Sequence, residues 1–239
     1  ATKTLVKDIV APTLAIDNPL MTDNIVNNSE QAAVVIGGTS NAENGQTVTL
    51  TITGSTIIIV TATVTGGAWT YTADISSLAD GNIAITADVS DLAGNPATQA
   101  PKTVAKDAAL PTLAIDNPLM IDDAVNNTEK SAVVINGTSN AEDGQAVTLT
   151  ITDGANPLTV TATVTGGVWS YTADISAMAD GIITITADVS DLAGNPKQAT
   201  KTLVKDIVAP TFTIDDPLMT DNKVNDLEQA AVVISGTSN

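Results

Sequence analysis

The 239-residue chain has no cysteine and no histidine. Disulfides, thiolate nucleophiles and imidazole ligands are therefore excluded. Rigidity must come from packing, hydrogen bonds or a hard cation held by oxygen. Aromatic side chains are scarce: one Phe, two Trp and two Tyr. So are basic ones, with 9 Lys and Arg against 27 Asp and Glu, a formal charge of −18. That balance excludes a nucleic-acid partner, whose phosphates need the opposite sign, and opposes an anionic membrane surface. No apolar run approaches the roughly 20 residues of a membrane-spanning helix, so no direct membrane insertion is expected. No secretion signal stands at Ala1, which reads as a mature or internal stretch. The abundant Ser and Thr have no histidine base beside them. Paired carboxylates can hydrolyse glycosides, but here they recur in every repeat, an odd place for a catalytic cleft. An enzyme is not expected.

What is present is β-prone. Hydrophobic residues make up 43% of the chain, mostly Ala, Val, Ile and Leu, interleaved with Thr. The sequence also repeats. Lys7-Asp8-Ile9-Val10-Ala11-Pro12-Thr13-Leu14 returns at Lys106–Leu113 and again at Lys205–Phe212, with Asp8, Asp107 and Asp206 each 99 residues apart. Ile83–Asn95 matches Ile183–Asn195, and a one-residue insertion near Ala155 is offset by a deletion near Lys197. A period of 99 is too long for a solenoid unit and has the size of one Ig-like sandwich. The expected architecture is all-β: tandem Ig-like β-sandwich domains, beads on a string. Residues 1–7 read as the last strand of a preceding repeat. Residues 8–106 and 107–205 read as two full repeats. Residues 206–239 read as a truncated repeat holding its first two strands only, expected to be poorly ordered or completed by a neighbouring molecule.

Period-two alternation places the strands. Seven are predicted in the first repeat: Thr13–Ile16, Ala33–Gly38, Thr47–Thr53, Ile58–Thr65, Trp69–Ala73, Ile83–Val89 and Thr98–Ala105. Turn formers separate them, among them Asn44-Gly45, Gly66-Gly67, Asp80-Gly81 and Gly94-Asn95-Pro96. Helix is expected nowhere beyond a turn near Ser76–Ala79. Trp69 and Trp169 alternate with Tyr and Ala, the pattern of core residues rather than a sugar-stacking platform. Ile57 and Ile59 are harder to hide, and predict a small apolar patch at a strand edge where the second repeat has Pro157 and Thr159.

Taken in order, Asp8–Thr13, Asp23–Glu30, Asn44–Thr49, Gly67–Tyr71, Ala79–Gly81 and Thr86–Asn95 follow the motifs Asp-x-x-Ala-Pro-Thr, Asp-Asn-x-Val-Asn-x-x-Glu, Asp-Gly-Gln-x-Val-Thr, Gly-x-Trp-x-Tyr, Ala-Asp-Gly and Thr-Ala-Asp-Val-x-Asp-x-Ala-Gly-Asn. This series resembles the bacterial Ig-like repeats of giant adhesins exported by type I secretion, including biofilm-associated and ice-binding adhesins. Asn44 departs from the motif's Asp, which the second repeat keeps as Asp143. The resemblance implies display on the bacterial cell surface, calcium near domain junctions and extended arrays.

Antiparallel succession gathers the first, third and fifth loops at the pole where the chain leaves a repeat. It gathers the second, fourth and sixth at the pole where it enters. The first loop is the richest in oxygen: Asp17, Asp23, Asn27 and Glu30 recur as Asp116, Asp122, Asn126 and Glu129. Ca²⁺ takes six to eight such oxygens, and no basic partner is evident nearby. The competing reading is that these side chains cap turns. A second candidate cluster lies at the entry pole: Asp8, Asp107 and Asp206 before the first strand, with Asp91 and Asn95, or Asp191 and Asn195, in the sixth loop. Here the alternatives are Asx and Gly-Asn-Pro turns. Asp88 and Asp188 lie near the same pole.

Two functions follow. One is a spacer stiffened by Ca²⁺, partnered by neighbouring repeats of its own chain and by adhesins of other cells, serving adhesion or biofilm formation. The other is a repeat module that itself binds a glycan, an ice surface or another repeat, for which the outward row Thr47, Thr49 and Thr51 is the feature in favour.

Overall fold

The computed structural model describes residues 2–155, 157–218 and 221–239. Strands β1 (Leu14–Ile16), β2 (Ile25–Val26), β3 (Val34–Ser40), β4 (Thr47–Thr53), β5 (Ile57–Thr63), β6 (Ala68–Ala73), β7 (Gly81–Asp88) and β8 (Ala100–Lys106) build the first repeat. They form a three-stranded sheet, β1-β3-β6, and a five-stranded sheet, β2-β8-β7-β4-β5. The second repeat copies this plan with β9 (Leu113–Ile115), β10 (Ala124–Val125), β11 (Val133–Ser139), β12 (Ala146–Thr152), β13 (Leu158–Thr163), β14 (Val168–Ala173), β15 (Gly181–Ser190) and β16 (Pro196–Lys205). There is no helix among the described residues, and none long and apolar enough to cross a membrane.

All seven anticipated strands of the first repeat are present, within a few residues at each end. The eighth, β2, was not anticipated. It is two residues long and pairs parallel with the end of β8, Ile25 opposite Ala105 and Val26 opposite Lys106. Two residues carry no periodicity, so only the long-range pairing reveals it. Its consequence is large, because it divides the first loop. Asp17–Asn24 crosses from the small sheet to the large one, and Asn27–Ala33 turns over the exit pole.

Alternation fills the core as the pleat requires. Val34, Ile36, Trp69 and Ala73 from the small sheet face Val48, Leu50, Ile52, Ile83, Ile85, Ala87 and Val104 from the large one, and all are buried. Each such aliphatic side chain contributes about 1.5–3 kcal/mol on burial. Gly38 is dictated by close approach. A Cβ there would stand 2.0 Å from the Ala15 carbonyl and 2.6 Å from the Trp69 ring, and Gly137 meets Ala114 and Trp169 in the same way. Both indoles are therefore packed against the inner face of the small sheet, and neither offers an aromatic platform.

The loops gather as antiparallel succession demands. At the exit pole Ile75 N–H donates to Gln31 O (2.8 Å) and Ala79 N–H to Ser55 Oγ (3.0 Å). At the entry pole Leu92 N–H donates to Glu43 Oε2 (2.9 Å) and Gly66 N–H to Asn44 Oδ1 (2.8 Å).

Beyond Asp206 the described residues form one short ladder, β17 (Phe212–Ile214) with β18 (Gly236–Ser238). No described residue from Asp206 onward is buried. Val34 and Ile36 are sealed by the opposing sheet, whereas their counterparts Val232 and Ile234 stay exposed.

Candidate metal centre

The first loop does not act as one cluster. Asp17 continues the small-sheet ladder, its N–H donating to Gly37 O at 2.9 Å, and Asp116 does the same to Asn136 O at 2.9 Å. Asp23 closes an Asx turn on Ile25 N–H (2.8 Å), and Asp122 one on Ala124 N–H (3.0 Å). Asn24 sits at φ 66°, where its Oδ1 accepts Leu20 N–H at 2.9 Å; Asp123 matches it at φ 60°, accepting from Leu119 N–H at 2.7 Å. Asn27 and Glu30 form a reciprocal capping box. Asn27 N–H donates to Glu30 Oε2 (3.0 Å), and Glu30 N–H to Asn27 Oδ1 (3.2 Å). Asn126 repeats the first of these bonds with Glu129 at 3.0 Å. Turn chemistry thus engages much of this loop.

One expectation is corrected. The loop does have a basic partner: Lys201 Nζ lies 2.7 Å from Asp123 Oδ2 and holds its carboxyl below the usual carboxylate range. Lysine enters the second repeat at this site from the far end of the fold, which sequence distance concealed.

The entry-pole cluster is tighter. Asp91 Oδ1 accepts Asn95 N–H (2.8 Å) and Asp91 Oδ2 accepts Asn95 Nδ2 (2.8 Å), which draws the Asp91 pKa down. Asn95 Nδ2 also reaches the Asp8 carbonyl, at 3.4 Å. In the second repeat the arrangement closes on a neighbour. Asn195, 1% exposed, donates from N and Nδ2 to the two Asp191 oxygens (2.8 and 3.0 Å) and from Nδ2 to Asp107 O (3.0 Å). Its Oδ1 accepts the N–H of Asn28, in the exit loop of the first repeat, at 2.8 Å. Asp107 in turn donates its N–H to Val26 O of β2 at 3.0 Å, and Asp206 donates to Val125 O at 3.0 Å.

The two clusters therefore meet at one junction. Asn27 and Glu30 come from the exit pole, Asp107 from the linker, and Asp191 and Asn195 from the following repeat. Asp17, Asp23, Asp116 and Asp122 stay outside it. No three carboxylates lie within common reach of one ion among the described residues. Asp88 and Asp188 are satisfied by Gln99 (2.9 Å) and Gln198 (2.7 Å). Asn44 and Asp143 do the same work, accepting Gly66 and Gly166 N–H at 2.8 and 2.7 Å, so their difference is neutral to the turn.

Sequence reading missed a second junction device. Lys106 and Lys205, at the ends of β8 and β16, are buried and pair with Asp80 (2.8 Å) and Asp180 (3.0 Å). The same aspartates accept the linker N–H groups of Ala108 (3.1 Å) and Ile207 (3.3 Å). Lys205 also donates to Met178 O at 2.6 Å. The lysines pull both aspartate pKa values down. The signal was available: Lys106 has the inward parity of Val104, so a charge stands where the alternation calls for an apolar side chain.

Two stretches, residues 17–108 and 120–216, match the family model described as a bacterial Ig-like domain. The chain belongs to the bacterial Ig-like domain family. A group 3 model of the same description matches residues 67–165 across the junction. A comparison with curated proteins finds no match. Solved neighbours of this Ig-like chain include parts of large adhesion proteins. One is a Ca²⁺-stabilised adhesin with which an Antarctic bacterium binds ice: 30% identity, TM-score 0.51, covering 97% of this chain and 58% of that one. Another is a tetra-tandem repeat from the extending region of a large adhesion protein: 29% identity, TM-score 0.40, covering 95% and 56%. A third, a 1.5-MDa bacterial ice-binding adhesin, shares the fold at 22% identity and TM-score 0.50, covering 95% and 76%. The chain thus spans just over half the length of the first two.

Proposed function

We propose that this chain is a spacer of a bacterial cell-surface adhesin, displayed outside the cell and stiffened by Ca²⁺ at its repeat junctions. The observation that carries the reading is Asp107. Its N–H is tied to β2 of one repeat and its carbonyl to Asn195 of the next. Any ion held by its carboxylate therefore acts on the linker that sets the angle between repeats.

The donor chemistry suits the ion. Side-chain oxygens from Asn27, Glu30, Asp107 and Asp191 border the junction without a nitrogen or sulfur ligand, the hard set that Ca²⁺ takes. As their side chains stand, no three of these carboxylates reach one ion; the four would hold it after turning toward one another, the ion then supplying positive charge among carboxylates that otherwise repel. Asn195 is spent on hydrogen bonds in three directions and serves to position the others. Extracellular modules of this kind bind Ca²⁺ at about 10⁻⁴–10⁻³ M.

Melting and small-angle scattering of the chain in millimolar CaCl2 and in EGTA test this. The reading expects a higher Tm and a longer particle with calcium, and loss of both responses in the double variant Glu30→Gln, Asp107→Asn. Identical melting and scattering in the two buffers would overturn it.

A further inference from the structure

The edge of the first repeat's large sheet departs from what an edge strand should be. Among the described residues β5 pairs with β4 alone, so one side of its backbone is open there. Natural edges are blunted with charge, proline or a bulge. β5 begins Ile57-Ile58-Ile59-Val60, apolar on both faces, a pattern that belongs to strands covered on both faces. Ile57 and Ile59 are 64% and 66% exposed. No Asp, Glu, Lys or Arg occurs anywhere from Asn44 to Ala73, a segment that includes β4, β5 and β6, in a chain of net charge −18.

The second repeat serves as an internal comparison. Its counterpart β13 is preceded by Pro157 and carries Thr159 in place of Ile59, and Asp153 interrupts the uncharged segment. Both strands lie at a sheet edge, and the sequence blunts that edge in one repeat and leaves it apolar in the other.

We propose that β5 is a homotypic docking edge, occupied by β5 of a second copy of this chain in antiparallel register. A two-fold axis makes such a pairing self-complementary. It joins two five-stranded sheets into one and sets Ile57 and Ile59 beside apolar and Thr side chains of the other copy. Charge singles out the occupant: on a strongly acidic chain, self-association is tolerated where like charges do not face each other. Two seven-residue edges bury less than the roughly 1,000 Å² of a stable stand-alone interface. The contact is weak one-to-one and gains strength when adhesins lie side by side in arrays.

Sedimentation velocity of the whole chain, from micromolar to millimolar, in EGTA and 0.5 M NaCl, tests this independently of the calcium reading. The expected result is a rise toward a dimer. Ile59→Lys should weaken it by at least about tenfold through like-charge contact at the two-fold. Ile57→Pro, which imports the second repeat's own residue, should do the same. Thr159→Lys should leave it unchanged. Phe212→Asp controls for the exposed β17. A chain that stays monomeric, or whose association survives both isoleucine changes and is lost in Phe212→Asp, overturns the proposal and leaves the β5 edge to a strand of another protein.

Discussion

Asn195 in the second repeat accepts the backbone N–H of Asn28 in the first at 2.8 Å, across 167 residues of sequence. The bond is made by a buried amide that also grips the linker at Asp107 O (3.0 Å) and its own loop at Asp191 (3.0 Å). The junction is thus organised by hydrogen bonds, those to Asp191 accepted by a carboxylate, without an ion.

Asn195→Ala removes that centre. It leaves Asn28 N–H, Asp107 O and Asp191 Oδ2 without this partner, while the backbone N–H of residue 195 still reaches Asp191 Oδ1; unmade bonds of this kind cost about 1–3 kcal/mol each when buried. The expected outcome is a lower Tm for the second repeat and greater freedom between repeats, read by calorimetry and residual dipolar couplings. Asn95→Ala should cost less, because Asn95 reaches Asp8 only at 3.4 Å and is less buried.

Lys205→Met and Lys106→Met test the lysine clamp. Both keep the stem's packing and delete the charge. Lys205 loses Met178 O and Asp180, whereas Lys106 loses Asp80. Because the aspartates are partly exposed, the loss is moderate, about 1–2 kcal/mol. Lys205→Met should cost the more. In each variant the amide of the residue that donates to the clamped aspartate, Ala108 or Ile207, should exchange its hydrogen faster.

Acid should unlock the same clamp. The pKa values of Asp80 and Asp180 are lowered chiefly by their lysine hydrogen bonds, and that of Asp91 by Asn95. A carboxyl depressed in the folded state stabilises fully above its unfolded pKa, about 3.9. That contribution disappears as pH falls through the lower folded value. Between pH 6 and 4, protonation of ordinary carboxylates also relieves the repulsion of a −18 chain. Tm is therefore expected to hold or rise slightly down to pH 4 and to drop below it. The Asp80→Asn, Asp180→Asn double variant should show a shallower drop. An equally steep one would remove the clamp as its cause.

Much of the fold was legible in the sequence because its signals are local or periodic. The 99-residue register of Asp8, Asp107 and Asp206, the alternation in Val48-Thr49-Leu50-Thr51-Ile52 and the turn pairs at Gly66-Gly67 each state a strand or a boundary. The exposed Ile57 and Ile59 were legible too, since no alternation hides both faces. The candidate site was only half legible. Residue type marked Asn27, Glu30, Asp107, Asp191 and Asn195 as oxygen donors. It marked Asp17 and Asp23 equally, although β2 separates them from the junction. Their side chains carry the same chemistry, and only the path of the backbone tells them apart.

The sequence by itself determined a chain of acidic, all-β repeats, because composition sets charge and a period of two sets which side chains enter a core. The tertiary structure alone decided which polar groups meet. Lys201 reaches Asp123, Lys106 reaches Asp80 and Asn195 reaches Asn28 across 78, 26 and 167 residues. Such pairings depend on where strands and loops converge in space, and no local pattern along the chain encodes that distance.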